Sequence, residues 1–190
     1  MLSESKTGFI LNWLLYTGKN ENNNLSNIIC KLCMNYEREN YCLYIDRYYT
    51  SINALINIKK YNIYAIGTIL KNRIWKNDEI SKDIKLLNKR EYKFYKNKDQ
   101  FQLTVWKDKK DVFILTNFQN TIISTKKEKI KIKDDSKDLN ISKNIIKYED
   151  NEFTLPYVIK EYIENMGGVD KFDQFSNYYN FDHKSKYFRW

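Results

Sequence analysis

The residues best suited to chemistry lie in the stretch Met166-Gly167-Gly168-Val169-Asp170-Lys171-Phe172-Asp173-Gln174. Two glycines lead into two aspartates spaced three apart. On a helix, positions i and i+3 share a face, so Asp170 and Asp173 project together from its first turn. Paired carboxylates offer the hard oxygen ligands that magnesium takes, and in a basic chain such a site would face a phosphate backbone. Acids in a first helical turn also complement the helix dipole, worth roughly 0.3–1 kcal/mol each; the pair alone does not separate the two readings. A further carboxylate, Asp46, follows directly on the apolar run Tyr41-Cys42-Leu43-Tyr44-Ile45. The carboxyl end of a buried strand is where α/β sheets place ligands, although an aspartate there also commonly opens a turn.

Strands and helices must hold these acids, and the hydrophobic pattern supplies candidates. Gly8 to Tyr16 is rich in aromatic and aliphatic residues and predicts a buried strand, followed by a polar loop over Lys19 to Asn24. Leu25 to Tyr36 has helical periodicity. Tyr41 to Ile45 predicts a second buried strand. Thr50 or Ser51 then caps a helix to about Lys60 with Ile52, Leu55 and Ile56 inside, and Ile63 to Thr68 predicts a third strand. Strand–helix–strand–helix–strand implies an α/β layer with parallel pairing. Beyond Arg73 the pattern changes. A short helix over Asp78 to Asn88 precedes short strands at Arg90–Tyr95, Phe101–Trp106, Val112–Thr116 and Thr121–Ser124, a β-rich block built from hairpins. Thr125 to Asp150, dominated by Lys, Asp, Asn and Ser, reads as an exposed loop. Phe153 to Ile159, with the single proline Pro156, reads as extended, and the helix carrying Asp170 and Asp173 runs toward Tyr179.

Composition narrows the partner. The 190 residues suffice for one domain with a core, or a core plus an insertion. A net charge of +9 and a pI near 9.2 suit a polyanion, nucleic acid first. Lys, Asn, Ile and Tyr are all encoded by AT-rich codons, so the charge supports DNA binding without establishing it. A hydrophobic fraction of 42% belongs to a folded chain. No apolar run approaches the ~18–20 residues of a membrane span, and the N-terminus has no basic-then-apolar signal pattern. Cys30, Cys33 and Cys42 are expected to be free thiols. Cys30-Lys31-Leu32-Cys33 is formally a CxxC, but there is no second one and His183 is the only histidine. Zinc held by this chain alone is therefore not expected; the pair reads as small hydrophobes on a helix face.

Several blocks recur in a known order. They are Ser5-Lys6-Thr7-Gly8-Phe9-Ile10-Leu11 with Tyr16-Thr17-Gly18-Lys19; Asp46-Arg47-Tyr48-Tyr49-Thr50-Ser51; Gly67-Thr68-Ile69 to Asn72-Arg73; and Val105-Trp106-Lys107-Asp108-Lys109-Lys110-Asp111-Val112. The glycine–aspartate block follows, then Tyr178-Tyr179 and Lys184-Ser185-Lys186 to Trp190. Over nearly the whole chain this set resembles the piggyBac transposase family.

The resemblance implies an α/β fold: an RNase H-like core, truncated with its first strands missing, and interrupted by a β-rich insertion. The segments are 1–75 (first part of the core), 76–150 (insertion and basic loop) and 151–190 (last part of the core). It implies descent from a magnesium-dependent DNA strand-transfer enzyme that cuts and pastes at TTAA sites. By match, Asp46 and Asp170 are metal-binding catalytic aspartates and Asp173 is the accompanying acid. Two magnesium ions held by such carboxylates would activate the attacking oxygen and stabilise the leaving one. The implied partner is double-stranded DNA, with Lys71, Arg73, Lys107, Lys109, Lys110, Lys184, Lys186 and Arg189 on phosphates. A homodimer, a nuclear location, no membrane and no small-molecule substrate complete the expectation. Tyr178, Tyr179 and Trp190 either stack on bases or belong to the core. The family's first catalytic aspartate lies upstream of the Ser-Lys-Thr-Gly block, which here starts at residue 5, so a catalytic-domain fragment inactive on its own is expected. The alternative is a domesticated, non-catalytic nuclear protein that binds DNA or a partner. An unrelated RNase H-like nuclease is the weakest reading, since it gives no reason for the Trp-Lys-Asp-Lys and Asp-Arg-Tyr-Tyr-Thr-Ser blocks.

Overall fold

Asn24 and Ser51 each stand immediately before an apolar-periodic run, and each opens a helix in the computed structural model, which describes residues 1–15, 24–74, 78–132 and 147–178. Helix α1 spans Leu25–Cys33, and the Asn24 side chain accepts from the Ser26 amide at 3.2 Å. Helix α2 spans Ile52–Lys60, with Ser51 Oγ accepting from the Ala54 amide at 3.2 Å. Caps of this kind contribute about 1 kcal/mol each. The choice between Thr50 and Ser51 is thereby settled for Ser51. Helix α1 ends three residues before the expected Tyr36, where the chain turns and both Arg38 and Asn40 adopt positive φ. Helix α2 buries Ala54, Leu55 and Ile58, whereas Ile56 is 38% exposed. Ile56 lies one residue, about 100°, round the helix from Leu55 and so misses the buried stripe.

Strands β1 (Leu2–Ser3) and β2 (Ile10–Asn12) form a small antiparallel pair of their own. Strands β3 (Cys42–Ile45) and β4 (Tyr64–Thr68) run parallel on either side of α2 in sequence, the βαβ unit that the pattern predicts. After a 3-10 turn at Lys71–Arg73 and helix α3 (Asp78–Lys85) come β5 (Tyr92–Lys96), β6 (Gln102–Lys107) and β7 (Asp111–Thr116). These three form an antiparallel meander, and β7 hydrogen-bonds antiparallel to β4. The result is one mixed sheet in the order β3-β4-β7-β6-β5. The hairpin block thus continues the sheet that starts with the parallel pair.

Side-chain alternation divides this sheet between two cores. Ala65, Leu103, Val105, Phe113 and Leu115 pack with Ile29 of α1 and with Leu55 and Ile58 of α2. Ile66, Trp106 and Ile114 face the other way, onto Val158, Ile159 and Tyr162 of helix α4 (Tyr157–Asn165). Full burial of each such side chain stabilises the fold by roughly 1.5–3 kcal/mol. Helix α5 (Gly168–Tyr178) follows, starting at the glycine pair as expected. No helix among the described residues is long and apolar enough to cross a membrane.

Three further expectations are corrected. The first segment is not a long buried strand: only Ile10–Asn12 pair, and Phe9, Trp13 and Leu15 are 70%, 59% and 74% exposed. The only strand bonded to β2 is the two-residue β1, so its apolar content has no layer to enter among the described residues. The supposed loop after Thr125 is instead a long hairpin at both its ends, β8 (Ile123–Ile132) with β9 (Lys147–Pro156). Its register sets Lys127 opposite Glu152, and opposite charges across a ladder favour pairing. Tyr157 to Ile159 are helical rather than extended, because Pro156 sits at the N-cap of α4, where its missing N–H is not needed. Thr17, Gly18, Lys19, Tyr179 and the tail with Lys184, Lys186, Arg189 and Trp190 lie outside the described residues.

Candidate functional site

Asp46 directly follows β3, exposed at the start of a turn through Arg47, Tyr48 and Tyr49. The turn is closed by its own polar groups. Asp46 Oδ1 accepts from the Tyr48 amide at 2.9 Å. The Asp46 carbonyl accepts from the amides of Tyr49 and Thr50, both at 3.0 Å. Thr50, fully buried, donates its hydroxyl to the Asp46 carbonyl at 2.9 Å and lies 3.3 Å from that of Ile45. Arg73 Nη1 reaches across from the 3-10 turn to the carbonyls of Arg47 (3.1 Å), Tyr48 (2.9 Å) and Thr50 (3.4 Å). Arg73, expected at phosphates, therefore also clamps this turn.

A second set of contacts ties the end of β3 to α4. Tyr162, buried against the sheet, donates its hydroxyl to the Ile45 carbonyl at 3.2 Å. With that proton committed, its oxygen accepts from Thr68 Oγ1 at 3.2 Å, at the end of β4. Burial raises the Tyr162 pKa, and the nearby Asp46 charge pushes in the same direction against the Thr68 hydrogen bond. One residue earlier on both elements, Tyr44 donates to Glu161 Oε1 at 2.7 Å. The helix that leads to the glycine pair is thus bonded to the strand that carries Asp46.

The glycine–aspartate helix is gripped by the N-terminal loop. Lys171 Nζ donates to the carbonyls of Ser5 and Lys6, both at 2.9 Å, and Ser5 Oγ donates to Asn165 Oδ1 at 3.3 Å. A Cβ at Gly168 would meet Ser3 Oγ at 2.6 Å and the Glu4 carbonyl at 2.8 Å. A Cβ at Gly8, which adopts φ +77°, would meet Lys171 Cβ at 2.9 Å and the Gly168 carbonyl at 3.0 Å. The loop is shaped by Glu4, whose carboxylate accepts from the amides of Lys6 and Thr7 and from the Thr7 hydroxyl; these bonds hold its pKa down at about 2. The Ser-Lys-Thr-Gly and Gly-Gly-Val-Asp blocks are the two sides of one close contact, which sequence spacing gives no means of seeing.

Asp170 and Asp173 lie on the first turns of α5, both exposed. Among the described residues, no group of three or more His, Cys, Asp or Glu gathers closely enough to hold a metal ion. The acids among the described residues thus do not by themselves form a closed magnesium site. The basic candidates divide. Lys71 is exposed on the 3-10 turn; Lys109 and Lys110 are exposed at the β6–β7 turn. Lys107 is half-buried and paired to Asp111 at 2.6 Å. Since β6 runs parallel to β3 and β4 through the antiparallel β7, the β6–β7 turn projects from the same end of the sheet as Asp46. Burial raises the pKa of Cys33 to about 12 and that of Cys42 to about 11.

Sequence reasoning missed Tyr162, Thr50 as the lock of the turn, and Lys171 as the clamp on the N-terminal loop. The only signal for Tyr162 is its place on the 158–159–162 helical stripe, which marks it as core without naming its hydroxyl partners.

Comparison with known proteins bears on this arrangement. A family model described as "Transposase IS4" matches residues 1–189. No curated protein matches the chain. Among solved structures, a piggyBac transposase synaptic complex with hairpin DNA, determined by cryo-EM, is similar with a TM-score of 0.62 at 19% identity. The alignment covers 92% of this chain and 33% of that one, so the chain spans about a third of the transposase it matches. Its mixed α/β fold is similar to that of a third of this transposase, and the family model extends over all but its last residue: the chain belongs to the IS4-type transposase family.

Proposed function

We propose that these residues are part of the catalytic domain of a piggyBac-type transposase, with an RNase H-like core and a β-rich insertion over 76–150. They descend from a magnesium-dependent enzyme that transfers DNA strands at TTAA sites, acting in the nucleus as a DNA-bound dimer. Asp46, Asp170 and Asp173 are the chain's share of the metal site. Lys71, Arg73, Lys107, Lys109, Lys110, Lys184, Lys186 and Arg189 meet phosphates. Strand transfer requires more than these residues, so the chain alone binds DNA without transferring it. The observation that carries this reading is the family match over residues 1–189, in a chain of net charge +9. The solved relative was captured on hairpin DNA, which supports DNA as the ligand class.

A salt titration with duplex DNA tests it. Each phosphate neutralised by a lysine or arginine contributes about 0.9 to the slope of log affinity against log salt. Binding is expected to weaken steeply with salt, and Lys71→Ala, Lys109→Ala and Lys110→Ala each lower the slope. Absence of binding at low ionic strength contradicts the reading.

A further inference from the structure

Resting on the DNA-binding reading above, we propose that Tyr48 and Tyr49 form a stacking platform for unpaired bases of a nucleic-acid strand at the Asp46 turn. Two large aromatic side chains stand here at consecutive positions, 58% and 40% exposed. Their rings meet edge to face, 5.0 Å between centroids at 87°, so each fixes the other's orientation and leaves faces open to solvent. The backbone beneath them is held from several directions. The Tyr48 amide is tied to Asp46 Oδ1, the Tyr49 amide to the Asp46 carbonyl, and the Tyr48 carbonyl to Arg73 Nη1. The neighbouring Thr50 is fully buried. Exposed aromatics on a backbone already ordered lose little freedom on binding.

The surroundings select the ligand. Asp46 carries a carboxylate at the foot of the turn, which repels a phosphate placed directly on it and tolerates an uncharged ring. Arg47, whose carbonyl Arg73 holds, and Lys71, in the same 3-10 turn as Arg73, are exposed like Arg73 itself and offer cations for the backbone of the same strand. An aromatic surface rimmed by cations is how proteins hold single strands without reading sequence. In a closed duplex the base faces are already stacked on one another, so the platform suits nucleotides that are unpaired.

The test uses the chain with a short single-stranded oligonucleotide carrying 2-aminopurine, whose fluorescence is quenched by stacking, and with the matching duplex. The wild-type chain is expected to quench the probe. Combining Tyr48→Ala with Tyr49→Ala is expected to abolish quenching and weaken single-strand binding roughly tenfold or more while duplex affinity stays within about twofold. Tyr48→Phe with Tyr49→Phe, which keeps the ring faces, is expected to retain both. Unchanged single-strand binding by the alanine pair, or an equal loss on single strand and duplex, overturns the platform while leaving the DNA-binding reading in place. Failure of the wild-type chain to bind either form at low salt overturns that reading, and the platform with it.

Discussion

Gly67 on β4 lies so close to Thr50 that a Cβ at position 67 would meet Thr50 Oγ1 at 2.3 Å and Cγ2 at 2.9 Å. The glycine makes room for the hydroxyl that closes the Asp46 turn. Gly67→Ala is expected to destabilise the fold by about 1–3 kcal/mol through overpacking. Thr50→Ala removes the clash, so the two changes should couple by roughly 1 kcal/mol or more in a double-mutant cycle. Denaturant unfolding of the four proteins measures this; strict additivity contradicts the contact.

The three described glycines that touch the N-terminal loop or the α5 start divide cleanly. Gly168→Ala drives a methyl into Ser3 and the Glu4 carbonyl, and Gly8→Ala adds strain at φ +77° to a crowded site. Each is expected to cost about 1–3 kcal/mol and to speed exchange of the amide at position 8, which in the wild type is bonded to the Glu4 carbonyl at 2.9 Å. Gly167 has nothing within 4 Å of the equivalent position, so Gly167→Ala should stay within about 0.5 kcal/mol of wild type.

Glu4 sets a pH dependence of the same loop. Its folded pKa is depressed to about 2 from an ordinary 4.5 by the Thr7 hydroxyl and the Lys6 and Thr7 amides. A depressed carboxylate stabilises the folded loop above its ordinary pKa, and that contribution disappears as pH falls from about 4.5 to about 2. Nuclear magnetic resonance titration of the Glu4 carboxyl should give a midpoint near the lower value; a midpoint near 4.5 contradicts the hydrogen bonds.

The thiols should be slow. Cys33 and Cys42 are raised to about 12 and about 11, and Cys30 is raised by burial as well. Since the thiolate is the reactive species, Ellman's reagent at about pH 8 should label the native chain slowly. In denaturant all three cysteines should react at once.

What was legible in the sequence is what local pattern encodes. Thr50-Ser51 before an apolar-periodic run marked the start of α2 to within one residue, the run before Asp46 marked β3, and the Gly-Gly pair marked the start of α5. The rest depends on partners far along the chain. Lys171 meets the Ser5 carbonyl across 166 positions and Tyr162 meets that of Ile45 across 117, and neither hydroxyl nor ammonium announces its acceptor. The hairpin β8–β9 was hidden for another reason: a strand rich in charge has the composition of a loop, and only its register with the opposite strand distinguishes the two. The first segment misled in the opposite sense, since apolar content predicts burial only where another layer is present to cover it.

On the function proposed above, Asp46, Asp170 and Asp173 are this chain's share of a metal site, and these residues alone do not transfer DNA strands. Expression of these residues alone in cells bearing a TTAA-flanked element tests it most directly. Excision at the background level is the predicted result; robust excision by this chain alone would contradict it.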